Sequence, residues 1–159
     1  MIDGVNSLEG DLNARGMRFG IIAGQFNELI VERLVAAAVA TLRKHGADAG
    51  DITIVTVPGA FELPVVAARM AASRSYDALI ALGCVIRGAT PHFDYVAGEA
   101  ASGLAAVARQ HDIAVGFGVL TVDTIEQALE RAGTKAGNKG SDAALAAIET
   151  ASVLRRINA

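Results

Sequence analysis

The chain contains no tryptophan and few other aromatic residues, which together make up 4% of its 159 residues. Its hydrophobic residues, 52% of the total, are therefore mostly aliphatic. Such an interior is typical of parallel strands that helices cover on both faces. Cys84 is the single cysteine, so no disulfide can form within the chain, and a reducing compartment is indicated.

An excess of positive charge is also missing, because 14 Lys and Arg residues stand against 17 Asp and Glu residues, for a net charge of −3. A nucleic-acid partner is therefore not expected. No apolar run reaches the roughly 20 residues of a membrane span, and no signal peptide is recognised, so we expect a cytoplasmic protein without membrane contact. The mean hydropathy of +0.40 is high for a monomer and indicates apolar surface buried between subunits.

Strand-like and helix-like segments alternate along the chain after residues 1–16, which we interpret as an N-terminal arm. The predicted strands cover about 17–23, 51–57, 77–86 and 113–120, and the predicted helices about 27–44, 62–73, 94–110, 124–133 and 142–155. Asn27 is expected to cap the first helix, and Thr124 with Gln127 forms a capping-box pattern at the fourth. The alternation predicts one α/β domain over 17–159, with a four-stranded parallel sheet flanked by helices on both faces.

Loops follow all four predicted strands, and in a parallel sheet they meet at one edge, where open α/β sheets bind ligands. They cover 24–27, 57–62, 84–94 and 118–123, the last preceded by Phe117. The third loop holds Arg, Thr, His and Asp, which suits an anionic substrate that also needs a proton moved. No GxGxxG follows the first strand, which argues against a dinucleotide-binding domain.

His92 is the only histidine in a strand-end loop. Imidazole changes its protonation near neutral pH, so His92 is a candidate general acid/base. A surface or capping histidine beside Asp94 is an equally open interpretation. The three dispersed histidines and one cysteine have no metal-ligand spacing, so we expect no metal site.

Arg87, Ala89 and Thr90 precede a helix start, where backbone N–H groups and a hydroxyl could cradle a phosphate. A salt bridge at a subunit interface is an alternative for Arg87. Further cations near the fourth helix would add positive charge to the site or belong to a solvated face: Arg131, Lys135 and Lys139.

Glu62 opens a helix, where a carboxylate is favoured, and could equally accept hydrogen bonds from substrate N–H groups. Phe26 and Phe117 are predicted at strand ends. Phenylalanine usually packs in a core, but in a chain this poor in aromatics these two could stack on a planar heterocycle. Cys84 is interpreted as a small buried residue.

Together these residues resemble the lumazine synthase (6,7-dimethyl-8-ribityllumazine synthase) family. The matching motifs occur in family order: Gln25-Phe26-Asn27, VPGAFELP at 57–64, GCVIRGATPHFDYV at 83–96, FGVLT at 117–121 and TIEQALERAGTKAGNKG at 124–140. The resemblance implies a three-layer flavodoxin-like fold and a role in riboflavin biosynthesis. The implied reaction condenses 5-amino-6-(D-ribitylamino)uracil with 3,4-dihydroxy-2-butanone 4-phosphate to give 6,7-dimethyl-8-ribityllumazine, phosphate and water, without a metal or organic cofactor.

The resemblance also implies roles for individual residues. His92 corresponds to the general acid/base. The pyrimidine and ribityl group would be bound by Phe26, Ala60, Phe61, Glu62, Cys84, Val85, Ile86 and Phe117, of which Phe117 comes from the neighbouring subunit. The phosphate would be bound by Ala89, Thr90, Arg131 and Lys139.

Members of this family form homopentamers with active sites between adjacent subunits, and some assemble into icosahedral 60-chain shells. The compact segment 131–138 favours the shell here, and riboflavin synthase is a candidate partner. Two alternatives to the enzyme stay open: a module that binds a flavin or lumazine without turnover, and a structural shell with vestigial catalysis.

Overall fold

The computed structural model describes residues 2–158, and its centre is a four-stranded parallel sheet in the order β2-β1-β3-β4. The strands are β1 (Phe19–Gly24), β2 (Ile52–Val57), β3 (Ala78–Ile86) and β4 (Ala114–Val122). β3 and β4 pair in register over nine residues each, while β1 lies between β2 and β3. The carboxyl ends of all four strands therefore lie at one edge, as predicted.

Within residues 2–158, five α-helices accompany the sheet: α1 (Glu28–Lys44), α2 (Leu63–Ala72), α3 (His92–His111), α4 (Ile125–Glu130) and α5 (Lys139–Ile157). One core cluster joins α1 and α5 to one face of the sheet, and a second joins α2 and α3 to the other. This arrangement confirms the predicted three-layer, flavodoxin-like architecture. No described helix is both long and apolar enough to cross a membrane.

Burial follows the position of each strand in the sheet. Every residue of the central strand β1 is buried, and so is every residue of β3 except Ile86. At the edge, β2 leaves three of its six residues exposed, so only the middle of the sheet needs a continuous apolar sequence. Because parallel strands feed successive helices, this rigid centre holds the strand-end loops in fixed relative positions.

The structure corrects the predicted ends of α3, β4, α4 and α5 and one predicted turn. α3 begins at His92 rather than 94, and β4 ends at Val122 rather than 120. Phe117 lies in the middle of β4 and not at its end. α4 already ends at Glu130, and the predicted turn near 135–140 is a short antiparallel hairpin of β5 (Ala132–Thr134) and β6 (Gly137–Asn138), followed directly by α5. Pairing between chain segments, which no local pattern reveals, extended β4 and formed the hairpin.

The two predicted caps have different outcomes. Thr124 accepts a hydrogen bond from the Gln127 amide at 3.1 Å, which confirms the cap of α4. Asn27 stands at the N-cap position of α1, but its side chain makes no capping hydrogen bond. That expectation was wrong because the Asn27 side chain turns to the Cys84 carbonyl instead, as described below.

The N-terminal segment packs on α5 over part of its length. The Asp11 amide donates to the Ser152 hydroxyl at 3.1 Å, and the Asp11 carboxylate pairs with Arg156 at 2.6 Å. A Cβ at Gly10 would overlap the backbone of Glu149, so only glycine allows this close approach. Ile2, Val5 and Leu8 remain exposed. The division into an arm over 1–16 and a domain over 17–159 stays a prediction, and Met1 and Ala159 lie outside the described residues.

Candidate active site

A cavity of about 540 Å³ opens at the carboxyl edge of the sheet. Three of the four predicted loops line it, those after β1, β2 and β3. Nine of the predicted site residues are among its lining: Phe26, Ala60, Phe61, Glu62, Cys84, Val85, Ile86, Thr90 and His92. Its size and mixture of apolar and polar groups suit a small-molecule ligand.

Phe26 presents its ring on one side of the cavity and is 66% exposed. The Phe26 amide donates to the Pro58 carbonyl at 3.0 Å, which joins the loop after β1 to the loop after β2. The ring also covers Gly59, where an added Cβ would overlap it. A large aromatic face held open in this way is suited to stacking on a heterocycle.

Glu62 is the last residue of a short 3-10 turn, Ala60–Glu62, and stands directly before α2. One carboxylate oxygen, Oε2, is buried and has no hydrogen-bond partner among the described residues. A buried oxygen without a donor costs free energy, so unpaired groups of this kind deserve a functional explanation. Because Glu62 lines the cavity, a ligand that brings N–H or O–H donors would satisfy it.

Asn27 is a cavity residue that the sequence analysis treated only as a helix cap. Its backbone is left-handed, with φ of 61°. Its Nδ2 donates to the Cys84 carbonyl at 2.8 Å and so links the loop after β1 to the end of β3. The Gln25-Phe26-Asn27 motif contained this residue, but nothing local indicated its distant partner.

His92 is the first residue of α3 and is exposed at the cavity. The backbone N–H groups of His92 and Phe93, which begin this 20-residue helix, have no partner within it, as at every helix start, while that of Asp94 donates to Pro91. Thr90 lies beside them on the cavity wall. An imidazole, a hydroxyl and free amides thus meet at one side, a combination that can bind an anion and move a proton.

Arg87 does not line the cavity, because its guanidinium is turned towards two carboxylates and an aromatic ring. Nε bonds Asp123 Oδ1 at 2.9 Å, Nη1 lies 3.4 Å from Asp94 Oδ1, and the group stands 4.3 Å from the centre of the Phe93 ring. The hydrogen bond to Asp123, aided by Asp94, raises the pKa of Arg87. Within the described chain, Arg87 is thus paired with two carboxylates, Asp94 and Asp123.

Four predicted site residues do not line this cavity: Ala89, Phe117, Arg131 and Lys139. Arg131 is the C-cap residue of α4, and its Nη1 donates to the Gln127 carbonyl at 3.1 Å, while the Lys139 amide donates to the Arg131 carbonyl at 2.9 Å. Both side chains are exposed, and Phe117 is 41% exposed in the middle of β4. Six residues that line the cavity were not predicted from the sequence: Asn27, Gly59, Gly88, Phe93, Tyr95 and Val96. Of these, Phe93 and Tyr95 were detectable as aromatic residues close to His92.

Cys84 is 5% exposed, and burial raises the pKa of its thiol to about 11 because a charged thiolate is poorly solvated there. At pH 8 we expect iodoacetamide to alkylate native Cys84 about a hundredfold more slowly than an ordinary exposed cysteine. The rate should climb as the pH approaches 11 and become normal in guanidinium chloride, which intact mass measurements will follow. Rapid alkylation of the native protein at pH 8 would contradict the assigned burial.

The sheet topology defines the chain as a three-layer α/β protein, with a cavity at the carboxyl edge of its sheet, where such folds bind ligands. A family model described as 6,7-dimethyl-8-ribityllumazine synthase matches residues 16–155. The chain belongs to this family and is an enzyme of riboflavin biosynthesis, a transferase that acts on small molecules.

Curated relatives match the chain over nearly its full length. The 6,7-dimethyl-8-ribityllumazine synthase of Nitratidesulfovibrio vulgaris (strain Miyazaki F) is 56% identical over 153 residues, which cover 96% of this chain and 98% of the relative. The enzyme of the same name from Clostridium kluyveri is 57% identical over 149 residues, or 94% and 97% of the two chains. The resemblance found in the sequence motifs is thus confirmed over most of the chain.

Proposed function

We propose that the enzyme condenses 5-amino-6-(D-ribitylamino)uracil with 3,4-dihydroxy-2-butanone 4-phosphate to form 6,7-dimethyl-8-ribityllumazine, inorganic phosphate and water. The 5-amino group attacks the butanone carbonyl and forms an imine with loss of water. Elimination of phosphate then leaves an enol that becomes a second carbonyl. The ribitylamino nitrogen attacks this carbonyl and closes the ring, again with loss of water.

The buried, unpartnered Oε2 of Glu62 carries this proposal, because it requires donors that the uracil and its ribityl chain possess. The pyrimidine would stack on Phe26 and meet the backbone of Cys84, Val85 and Ile86 at the end of β3. Ala60 and Phe61 would hold the ribityl chain beside Glu62. The cavity of about 540 Å³ is large enough for a drug-sized ligand.

The phosphate would bind at the start of α3, through Ala89, Thr90 and the free amides of the first turn. Arg131 and Lys139 would add positive charge, and Phe117 would cover the substrate. Since none of these last three lines the cavity of a single chain, we propose that adjacent subunits complete each site in a homopentamer. Twelve pentamers would form an icosahedral 60-mer, with riboflavin synthase as a partner in the cytoplasm. Analytical ultracentrifugation distinguishes the pentamer from the shell.

His92 is proposed as the general acid/base for imine formation, phosphate elimination and ring closure. We expect His92→Ala to lower kcat by about a hundredfold, the low end for loss of a proton carrier. Turnover should stay above the spontaneous rate, because holding two reactants together can itself supply roughly 7–11 kcal/mol. His111→Ala is the matched control, since His111 ends α3 away from the cavity. Complete loss of turnover in folded His92→Ala would refute the assigned role.

The stoichiometry of the products tests the reaction itself. We expect purified enzyme to release one phosphate for each lumazine formed, measured by a coupled phosphate assay and by lumazine absorbance. Bound yellow chromophore without phosphate release would identify a binding module instead. Full assembly without either product would leave a structural shell.

A further inference from the structure

We infer that Arg87 is a positioning residue that holds the loop carrying Thr90 and His92 against the cavity, and that it acts without touching the substrate. The Arg87 clasp is formed by Arg87, Phe93, Asp94 and Asp123. The inference deepens the proposed function and rests on it, because the held loop is the proposed phosphate and proton-transfer wall.

The loop itself has little to fix its conformation. Residues 88–91 are all exposed, and a Cβ added at Gly88 would contact no other residue. The Arg87 amide donates to Val122 at the start of the loop, and the Asp94 amide donates to Pro91 at its end. Within the described chain, no hydrogen bond is seen for residues 88–90 outside regular helices and strands. Its placement therefore depends on what joins its two ends.

The Arg87 side chain makes that join. From the end of β3 it reaches across the loop to Asp94 in the first turn of α3, at 3.4 Å, and it covers the Phe93 ring at 4.3 Å. Its second carboxylate partner, Asp123 at 2.9 Å, lies between β4 and α4. A planar guanidinium can meet two carboxylates and a ring face at once, which a lysine ammonium cannot.

The clasp is anchored on the far side as well. The Asp123 amide donates to Gln127 Oε1 at 2.8 Å, while the Gln127 amide donates to the Thr124 cap. Asp123 is thus held by the first turn of α4, and the Arg87 clasp connects the starts of α3 and α4. Arg87 therefore links the loop over residues 88–91 to both α3 and α4.

A direct role for Arg87 as a phosphate ligand fits these charges poorly. One guanidinium between two carboxylates leaves a local excess of negative charge, which repels a phosphate. All three side chains are exposed, so the ion pairs add little to global stability. Their effect is local, on a loop whose residues 88–91 are all exposed.

Four variants separate these roles: Arg87→Met, Arg87→Lys, Asp123→Asn and Arg155→Met. Arg155→Met is the matched control, because Arg155 is also exposed and pairs with an aspartate, Asp77 at 2.8 Å, outside the cavity. Arg87→Met and Asp123→Asn should each lower kcat/KM about tenfold to hundredfold, as small misplacements of catalytic groups do. Arg87→Lys should recover part of this loss. The double variant that combines Arg87→Met with Asp123→Asn should have a kcat/KM no lower than that of the less active single variant, because both substitutions break the same clasp.

Hydrogen exchange gives a readout that does not depend on turnover. In Arg87→Met and Asp123→Asn, the amides of residues 94–97 should exchange about two- to fivefold faster, the range that one exposed ion pair supports. Amides of α1 should not change, and Arg155→Met should change neither region.

Two results would overturn the inference. Tighter binding of the phosphate substrate by Asp123→Asn would mean that releasing Arg87 creates a phosphate ligand. Unchanged exchange and unchanged kcat/KM in both Arg87→Met and Asp123→Asn would mean that no clasp operates. If the wild-type enzyme is no faster than the spontaneous reaction, the proposed function is refuted. The hydrogen-exchange rates would still decide whether the clasp exists.

Discussion

Replacing Glu62 with glutamine is expected to weaken binding of the pyrimidine substrate by about tenfold to hundredfold, without loss of stability in the unliganded protein. A hydrogen bond to a charged group contributes about 1.5–3 kcal/mol, which corresponds to this range of affinity. In the unliganded protein, Oε2 of Glu62 is buried without a donor, so its charge costs free energy that a neutral amide avoids. Glu62→Gln should therefore bind the uracil more weakly, while the stability of the unliganded protein rises or stays the same.

Isothermal titration with 5-amino-6-(D-ribitylamino)uracil gives the affinity, and thermal denaturation gives the stability. Glu99→Gln is the matched control, because Glu99 is exposed on α3 and does not line the cavity. Equal affinity of wild type and Glu62→Gln for the uracil would show that Oε2 is not a ligand group. A large fall in stability would show that Glu62 has a structural partner instead.

Replacing Gly140 with alanine is expected to cost about 3 kcal/mol or more of folding free energy, or to prevent folding. Gly140 is buried at the start of α5, where a Cβ would overlap the carbonyl of Leu34 in α1. The obstacle is backbone inside a helix, which cannot turn away as a flexible side chain can. The pair α1 and α5 covers one whole face of the sheet, so separating them opens the larger core cluster.

Gly98→Ala is the control of opposite sign. Gly98 lies within α3, and a Cβ there would meet open space, so alanine should stabilise the helix by up to about 1 kcal/mol. Urea denaturation of the two variants beside wild type measures both effects. If Gly140→Ala unfolds at the same urea concentration as wild type, the close approach of α1 and α5 is not as described.

The layered fold was predictable because its signals are local. The buried strands β1 and β3 are continuous apolar runs, and the cap at Thr124 needs only the residue three positions on. Features formed by distant segments were not predictable. Phe117 was expected at a strand end, but β4 continues past it because its later residues pair with β3. The hairpin of β5 and β6 resembled a turn for the same reason.

The candidate site was predictable to a similar extent. The rule that ligands bind at the carboxyl edge of a parallel sheet located the cavity and the loops that line it. The bond from Asn27 to Cys84 joins residues 57 positions apart, so no sequence pattern could reveal it. Arg87 is the clearest case: its position before a helix start suggested a phosphate ligand, and only the neighbouring Asp94 and Asp123 show a different use.

The central claim is that the cavity at the sheet edge catalyses the condensation, and the initial rate of lumazine formation tests it most directly. Purified enzyme is mixed with the ribitylaminouracil and the butanone phosphate, and absorbance is followed beside a mixture without protein. We expect wild type and Arg155→Met to exceed the spontaneous rate clearly and equally, with Glu62→Gln and His92→Ala slower. A rate equal to the spontaneous one, in folded and assembled wild-type protein, would contradict the claim.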